Sequence, residues 1–237
     1  MKTISKLQFI TTSAATAELA CKGGAEWIQL RIKDVSYDAY RAEALKTQAV
    51  CRKYGAALII NDNARLALEI GADGVHLGKI DIISPEEEAA LISGNYIVGR
   101  TTNTAADIDE LKGRYVSYVG LGPYRFTGTK KNLSPILGLD GYKAILAHLK
   151  TSYPAHPPII AIGGIIQYDI PSLLDAGVYG IAVSGAIANA VDITAKTADF
   201  VEVINKPKLE PKDEHSISDA FANSDLIGKI TGFLTDL

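Results

Sequence analysis

Short runs rich in β-branched and aromatic residues recur along most of the chain, and helical stretches separate them. The strand candidates are "LQFITT" (7–12), "WIQLR" (27–31), "ALIIN" (57–61), "GVHLG" (74–78), "YIVGR" (96–100), "YVGLG" (118–122), "IIAIGG" (159–164) and "GIAVSG" (180–185). Several of the intervening stretches have apolar residues at helical spacing and end on a glycine. In "NARLALEIGADGVHL", Gly71 fits a helix C-cap and Asp73-Gly74 fits the turn into the next strand. Eight strands alternating with helices predict parallel βαβ units. That rhythm fits a (β/α)8 TIM barrel, and an open doubly wound sheet would share it. Glycine placement separates the two. No GxGxxG follows the first strand, whereas Gly163-Gly164 and Gly185 follow the seventh and eighth, where barrels commonly bind phosphate. The barrel is the expected architecture.

The pattern changes past residue 204, where "NKPKLEPKDEHS" is rich in proline and charge and lacks apolar periodicity. Beyond it, apolar residues at 221, 226, 227, 230, 233 and 234 can form one helical stripe. The expected organisation is a barrel domain over 1–204 and a C-terminal extension over 205–237. The extension reads as a linker plus a helix that docks on the barrel or on a partner subunit.

Composition narrows the function classes. Of 237 residues, 47% are hydrophobic and 22% charged, which supplies a core and gives no case for disorder. A net charge of -3 argues against broad binding to nucleic acid or anionic membranes, so any basic cluster must be local. No run approaches the roughly 18–20 apolar residues of a membrane span, and "MKTISKLQFITTSA" lacks a signal-peptide pattern. A soluble cytoplasmic protein is the expectation. Cys21 and Cys51 lie in helix-like segments with no CxxC or metal-ligand spacing and read as buried structural thiols.

In a barrel, functional residues gather just past the C-terminal ends of the strands. Arg31 and Lys33 alternate at the end of the second strand and so point the same way, and Lys130 lies in the glycine-containing loop "GPYRFTGTKK". One such cation is ordinarily a solvated surface charge. Three at one mouth of a net acidic protein point to a polyanion such as a diphosphate. Asp62 and Asp81 follow adjacent strands; each alone reads as a cap, but beside a diphosphate the two suit Mg2+. Asn61 can reach a ligand or satisfy a turn, and His76 reads as a structural histidine outside the catalytic set. Gly163, Gly164 and Gly185 allow backbone N–H groups to approach a phosphate. No GxSxG elbow, Cys–His pair or lysine within an apolar strand is present, so the site is suited to anions and leaving-group stabilisation rather than covalent attack.

Together "IQLRIK", "IINDNARLALEIGADGVHLGKID", "YVGLGPYRFTGTKKN" and "AIGGI" resemble the thiamine-phosphate synthase family over about residues 7–204. The resemblance implies a (β/α)8 barrel that joins hydroxymethylpyrimidine diphosphate to hydroxyethylthiazole phosphate, giving thiamine monophosphate and diphosphate. It further implies that Gln29, Arg31, Lys33, Asn61 and Lys130 bind the pyrimidine diphosphate and that Asp62 and Asp81 hold Mg2+. Thr127, Gly128 and Thr129, with Gly164, Ser184 and Gly185, would hold the thiazole phosphate. Arg31, Lys33, Lys130 and Thr101 would carry the catalytic electrostatics. The implied partners are these two small molecules, without nucleic acid or membrane, and a homodimer is left open.

The chain departs from that family in places. Where the family has "GxSTH" after the fifth strand, this chain has "GRTTN", so Thr101 keeps a hydroxyl, Asn103 replaces histidine and Arg100 is added. At the eighth strand "VSAI" becomes "SGAI", which moves the serine to Ser184. Two alternatives follow: a thiazole tautomerase, against which Asn103 counts because that barrel uses the histidine for proton transfer, and a non-catalytic protein that binds thiamine precursors. No role is assigned to Arg100 or Arg125.

Overall fold

The computed structural model describes residues 4–126 and 135–206. Eight parallel strands close into a barrel in chain order, β1-β2-β3-β4-β5-β6-β7-β8, with β8 paired back to β1. The strands are β1 Leu7–Thr11, β2 Trp27–Leu30, β3 Ala57–Asn61, β4 Gly74–Leu77, β5 Ile97–Thr102, β6 Tyr118–Leu121, β7 Ile159–Ile162 and β8 Gly180–Val183. Each falls within a run identified in the sequence or within two residues of its ends. Around them lie α1 Ala14–Lys22, α2 Tyr37–Tyr54, α3 Ala64–Ile70, α4 Pro85–Ser93, α5 Ala105–Asp109, α6 Gly138–Ser152, α7 Ile170–Ala176, α8 Gly185–Ala188 and α9 Ile193–Asn205. The sequence extension beyond residue 206, with its expected helix, lies outside the described residues.

Local chemistry sets many of the element boundaries. Ser84 opens α4 with a reciprocal capping box to Glu87 and with proline in the first turn, and three glutamates, Glu86, Glu87 and Glu88, complement the positive end of the helix. Gly55 and Gly71 end α2 and α3 in the left-handed conformation. The Asp73 carboxylate accepts from the Leu58 N–H at 2.9 Å, so the turn before β4 also secures the start of β3.

Alternation along the strands builds two separate packing layers. Phe9, Ile28, Leu58, Ile60, Val75, Val98 and Val119 belong to the core shared with the helices. Ile10, Trp27, Ile59, Ile97, Tyr118, Ile160 and Ala182 form a second cluster that fills the barrel interior. Trp27 and Tyr118 are fully buried and meet edge to face, with ring centroids 4.8 Å apart. This plug leaves the polar residues farther along the same inward faces to form the mouth. Cys21 and Cys51 are free and buried, as expected.

Candidate functional site at the barrel mouth

A cavity of about 680 Å³ opens there. Gln29, Arg31, Lys33, Asn61, Asp62, Asp81, Thr101, Gly163, Gly164, Ser184 and Gly185 all line it. Residues from six strand ends, expected separately from the sequence, therefore share one space. Thr127, Gly128, Thr129 and Lys130 lie outside the described residues.

Two tyrosines on the outer helices fix the frame. Tyr40 of α2 donates to the Leu30 carbonyl at 2.7 Å and lies 3.1 Å from the Asn61 carbonyl, while accepting from the Asn61 N–H at 3.2 Å. It clamps the ends of β2 and β3, from which Arg31, Lys33 and Asp62 project. Tyr142 of α6 does the same for β6 and β7, donating to the Leu121 carbonyl and accepting from the Ile162 N–H at 3.3 Å. The Gly163-Gly164 turn begins at that second clamp. Both glycines have positive φ, 98° and 69°, and a Cβ on Gly163 would come within 2.9 Å of Pro123 Cα.

Asp62 is not the helix cap. Asn63 takes that task, its side chain accepting from the Leu66 N–H at 2.8 Å, and Asp62 adopts a left-handed φ of 62°. The carboxylate of Asp62 accepts from Lys33 Nζ. Burial opposes its ionisation, but Lys33, a hydrogen bond shared with Asp81 and the charge of Arg31 hold the carboxyl below the usual range. Asp81 shifts the other way, raised by burial and by Asp62, against the Gly78 N–H that its carboxylate accepts at 2.6 Å. Asp81 is thus both the loop cap its position allowed and half of a carboxylate pair. Among the described residues no group of three or more His, Cys, Asp or Glu gathers for a metal. Two neighbouring carboxylates lining one cavity nevertheless fit Mg2+, which takes few protein oxygens and completes its shell with water and phosphate.

Other residues around the mouth had no place in the site expected from the sequence, and Lys79 was not singled out there at all. Lys79 lines the cavity and pairs with Asp107 at 2.8 Å. The Asn103 amide is buried and donates to the Gly122 carbonyl, so it supports the loop after β6. Arg125, without a role from sequence, donates to the Gly164 carbonyl at 3.2 Å and pairs with buried Asp169 at 2.6 Å. It joins the loops after β6 and β7, a link between residues 39 and 44 positions apart for which the sequence carries no local signal. Arg100 reaches the Asp81 carbonyl at 3.4 Å. The hydroxyl of buried Thr102, beside Thr101, has no hydrogen-bond partner among the described residues.

The family model described as thiamine monophosphate synthase matches residues 3–187. A thiamine-phosphate synthase of Phocaeicola vulgatus is 46% identical over 199 residues, covering 81% of this chain and 94% of the relative. One of Bacteroides thetaiotaomicron is 44% identical, covering 83% and 96%. The solved structure of a thiamine phosphate pyrophosphorylase from Pyrococcus furiosus superposes with a TM-score of 0.71 at 28% identity, covering 84% of this chain and 95% of that one.

Proposed function

The chain belongs to the thiamine monophosphate synthase family, and from that premise we propose how its barrel mouth performs the family's reaction. The protein is a transferase that condenses 4-amino-5-hydroxymethyl-2-methylpyrimidine diphosphate with hydroxyethylthiazole phosphate to give thiamine monophosphate and diphosphate. In the proposed course the pyrimidine methylene–oxygen bond breaks first and diphosphate departs with the electron pair. The electron-rich ring carries the resulting cation, and the thiazole nitrogen then closes the new carbon–nitrogen bond.

Each step asks the protein for position and charge, which explains the missing nucleophile. Arg31, Lys33 and Lys130 bind the diphosphate and stabilise its growing charge, Thr101 donates to it, and Gln29 and Asn61 orient the pyrimidine. Gly163, Gly164, Ser184 and Gly185, with Thr127, Gly128 and Thr129, hold the thiazole phosphate. Asp62 and Asp81 would hold Mg2+. Bound there, the ion would neutralise phosphate charge and improve the leaving group. The observation that carries this reading is the meeting of Arg31 and Lys33 with the Asp62–Asp81 pair in one cavity.

The same proposal has the protein working in the cytoplasm on two small substrates, apart from nucleic acid and membrane. No helix among the described residues is long and apolar enough to cross a membrane. A homodimer is the assembly to test, by sedimentation of the full chain.

The tautomerase alternative has little support, because the Asn103 side chain is committed to the Gly122 carbonyl and has no ring nitrogen to carry a proton. Incubating the purified protein with both substrates and Mg2+ is expected to yield thiamine monophosphate and diphosphate in equal amounts. Binding of both substrates with no product above the no-enzyme control would instead indicate a silent binding protein.

A further inference from the structure

A continuous polar chain crosses the barrel between the plug and the cavity. Gln29 Nε2 donates to Gln8 Oε1 at 3.0 Å, and Gln8 Nε2 donates to the Tyr118 hydroxyl at 3.0 Å. That hydroxyl is 3.0 Å from His76 Nδ1, and His76 Nε2 is 2.9 Å from Thr101 Oγ1. Gln8, Gln29, His76 and Tyr118 are all at most 6% exposed. The strands leave room for the rings: a Cβ on Gly99 would overlap Tyr118 and His76, and one on Gly120 would come within 3.1 Å of His76 Cε1.

Hydrogen-bond bookkeeping gives this chain a direction. Gln29 gives an Nε2–H to Gln8 Oε1, which leaves the Gln8 Nε2–H to point at the Tyr118 hydroxyl. The phenol accepts that bond and has a single O–H of its own to give. Burial raises the pKa of Tyr118, against the pull of Gln8 and Gln29, so the phenol keeps its proton. With Gln8 donating to its oxygen, the phenol turns that proton to its other neighbour, His76 Nδ1. His76 must then carry its own proton on Nε2 and donate it to Thr101.

We propose that Tyr118 and His76 are positioning residues that hold the imidazole as the neutral Nε2–H tautomer, so that Thr101 Oγ1 accepts from His76 and turns its own O–H into the cavity toward the pyrimidine diphosphate. With the opposite tautomer, Thr101 would spend its proton on His76 and present lone pairs to an anion. The histidine set aside as structural in the sequence thus decides whether the threonine that stands in the family's serine position can donate. This role rests on the synthase reading of the site, but the direction of the chain can be measured without it.

The first test is nitrogen NMR of the full-length protein labelled with 15N-histidine, with His76 among four histidines assigned by loss of its signals in His76→Gln. The expected spectrum has a protonated Nε2 and an unprotonated Nδ1. A protonated Nδ1, or an imidazolium at neutral pH, overturns the inference whether or not the protein makes thiamine monophosphate. The second test is a double-mutant cycle. Tyr118→Phe and Thr101→Val should each lower kcat/KM for the pyrimidine diphosphate by about tenfold or more, the scale of one hydrogen bond to a charged group. KM for the thiazole phosphate should stay unchanged. Together they should lower it little further than Thr101→Val alone. Fully multiplicative losses would mean that Tyr118 does not act through Thr101. His76→Gln, whose amide can donate near the Nε2 position, should recover part of the activity lost in His76→Leu; equal losses would count against the proposal.

Discussion

At the scale of single residues, the Asp62–Asp81 pair separates fold from function. Asn63 supplies the cap of α3, so Asp62 is released from the ordinary duty of an aspartate before a helix. Its contact with Lys33 is half exposed, with the lysine side chain at 48% and the aspartate at 30%. Ion pairs of that kind contribute about 0–1 kcal/mol. Asp62→Asn, which removes the charge but keeps a side chain that tolerates the left-handed φ, is therefore expected to shift the unfolding midpoint little while lowering turnover by about a hundredfold or more, as removal of electrostatic transition-state support does. Steady-state kinetics and denaturant melts on the same variant check both halves. A fall in stability that matches the fall in rate would make Asp62 a structural residue.

At the scale of elements, the mouth depends on helices that never touch the ligand cavity themselves. Tyr40 on α2 ties β2 to β3, and Tyr142 on α6 ties β6 to β7, each through a buried hydroxyl. Replacing either by phenylalanine leaves buried backbone groups without a partner, at a cost of about 1–3 kcal/mol. The kinetic effects should divide by position. Tyr40→Phe is expected to raise KM for the pyrimidine diphosphate, and Tyr142→Phe KM for the thiazole phosphate, by several-fold each. Equal effects of each variant on both substrates would contradict the division of the mouth into two subsites. Arg125 belongs to the same level of organisation, because its pairing with Asp169 and its bond to the Gly164 carbonyl join neighbouring loops.

For the whole molecule, the barrel closes on itself and α9 packs against α1 and α7, so every strand has two neighbours without help from the tail. The compact unit formed by the barrel ends at Asn205. Deleting residues 207–237 is expected to leave cooperative unfolding and turnover within about twofold of the full chain. A large loss of turnover without loss of folding would assign the extension a part in the active site, and loss of folding would show that its apolar stripe completes the core.

The strand runs, the helix stop at Gly71 and the gathering of Arg31, Lys33, Asp62 and Asp81 at strand ends were all legible in the sequence. Periodicity, caps and the parallel-barrel rule are local or topological, and a linear chain carries them openly. The family's joint motifs extended this to a reaction. What the chain could not state were relations among residues far apart along it. The bond from Arg125 to Asp169 spans 44 positions and the one from His76 to Tyr118 spans 42, and each exists because closure of the barrel brings those strand ends together. A lone histidine between Val75 and Leu77 is indistinguishable in sequence from a filler of the core. Its role depends on which groups face its two nitrogens, and only the tertiary structure decides that.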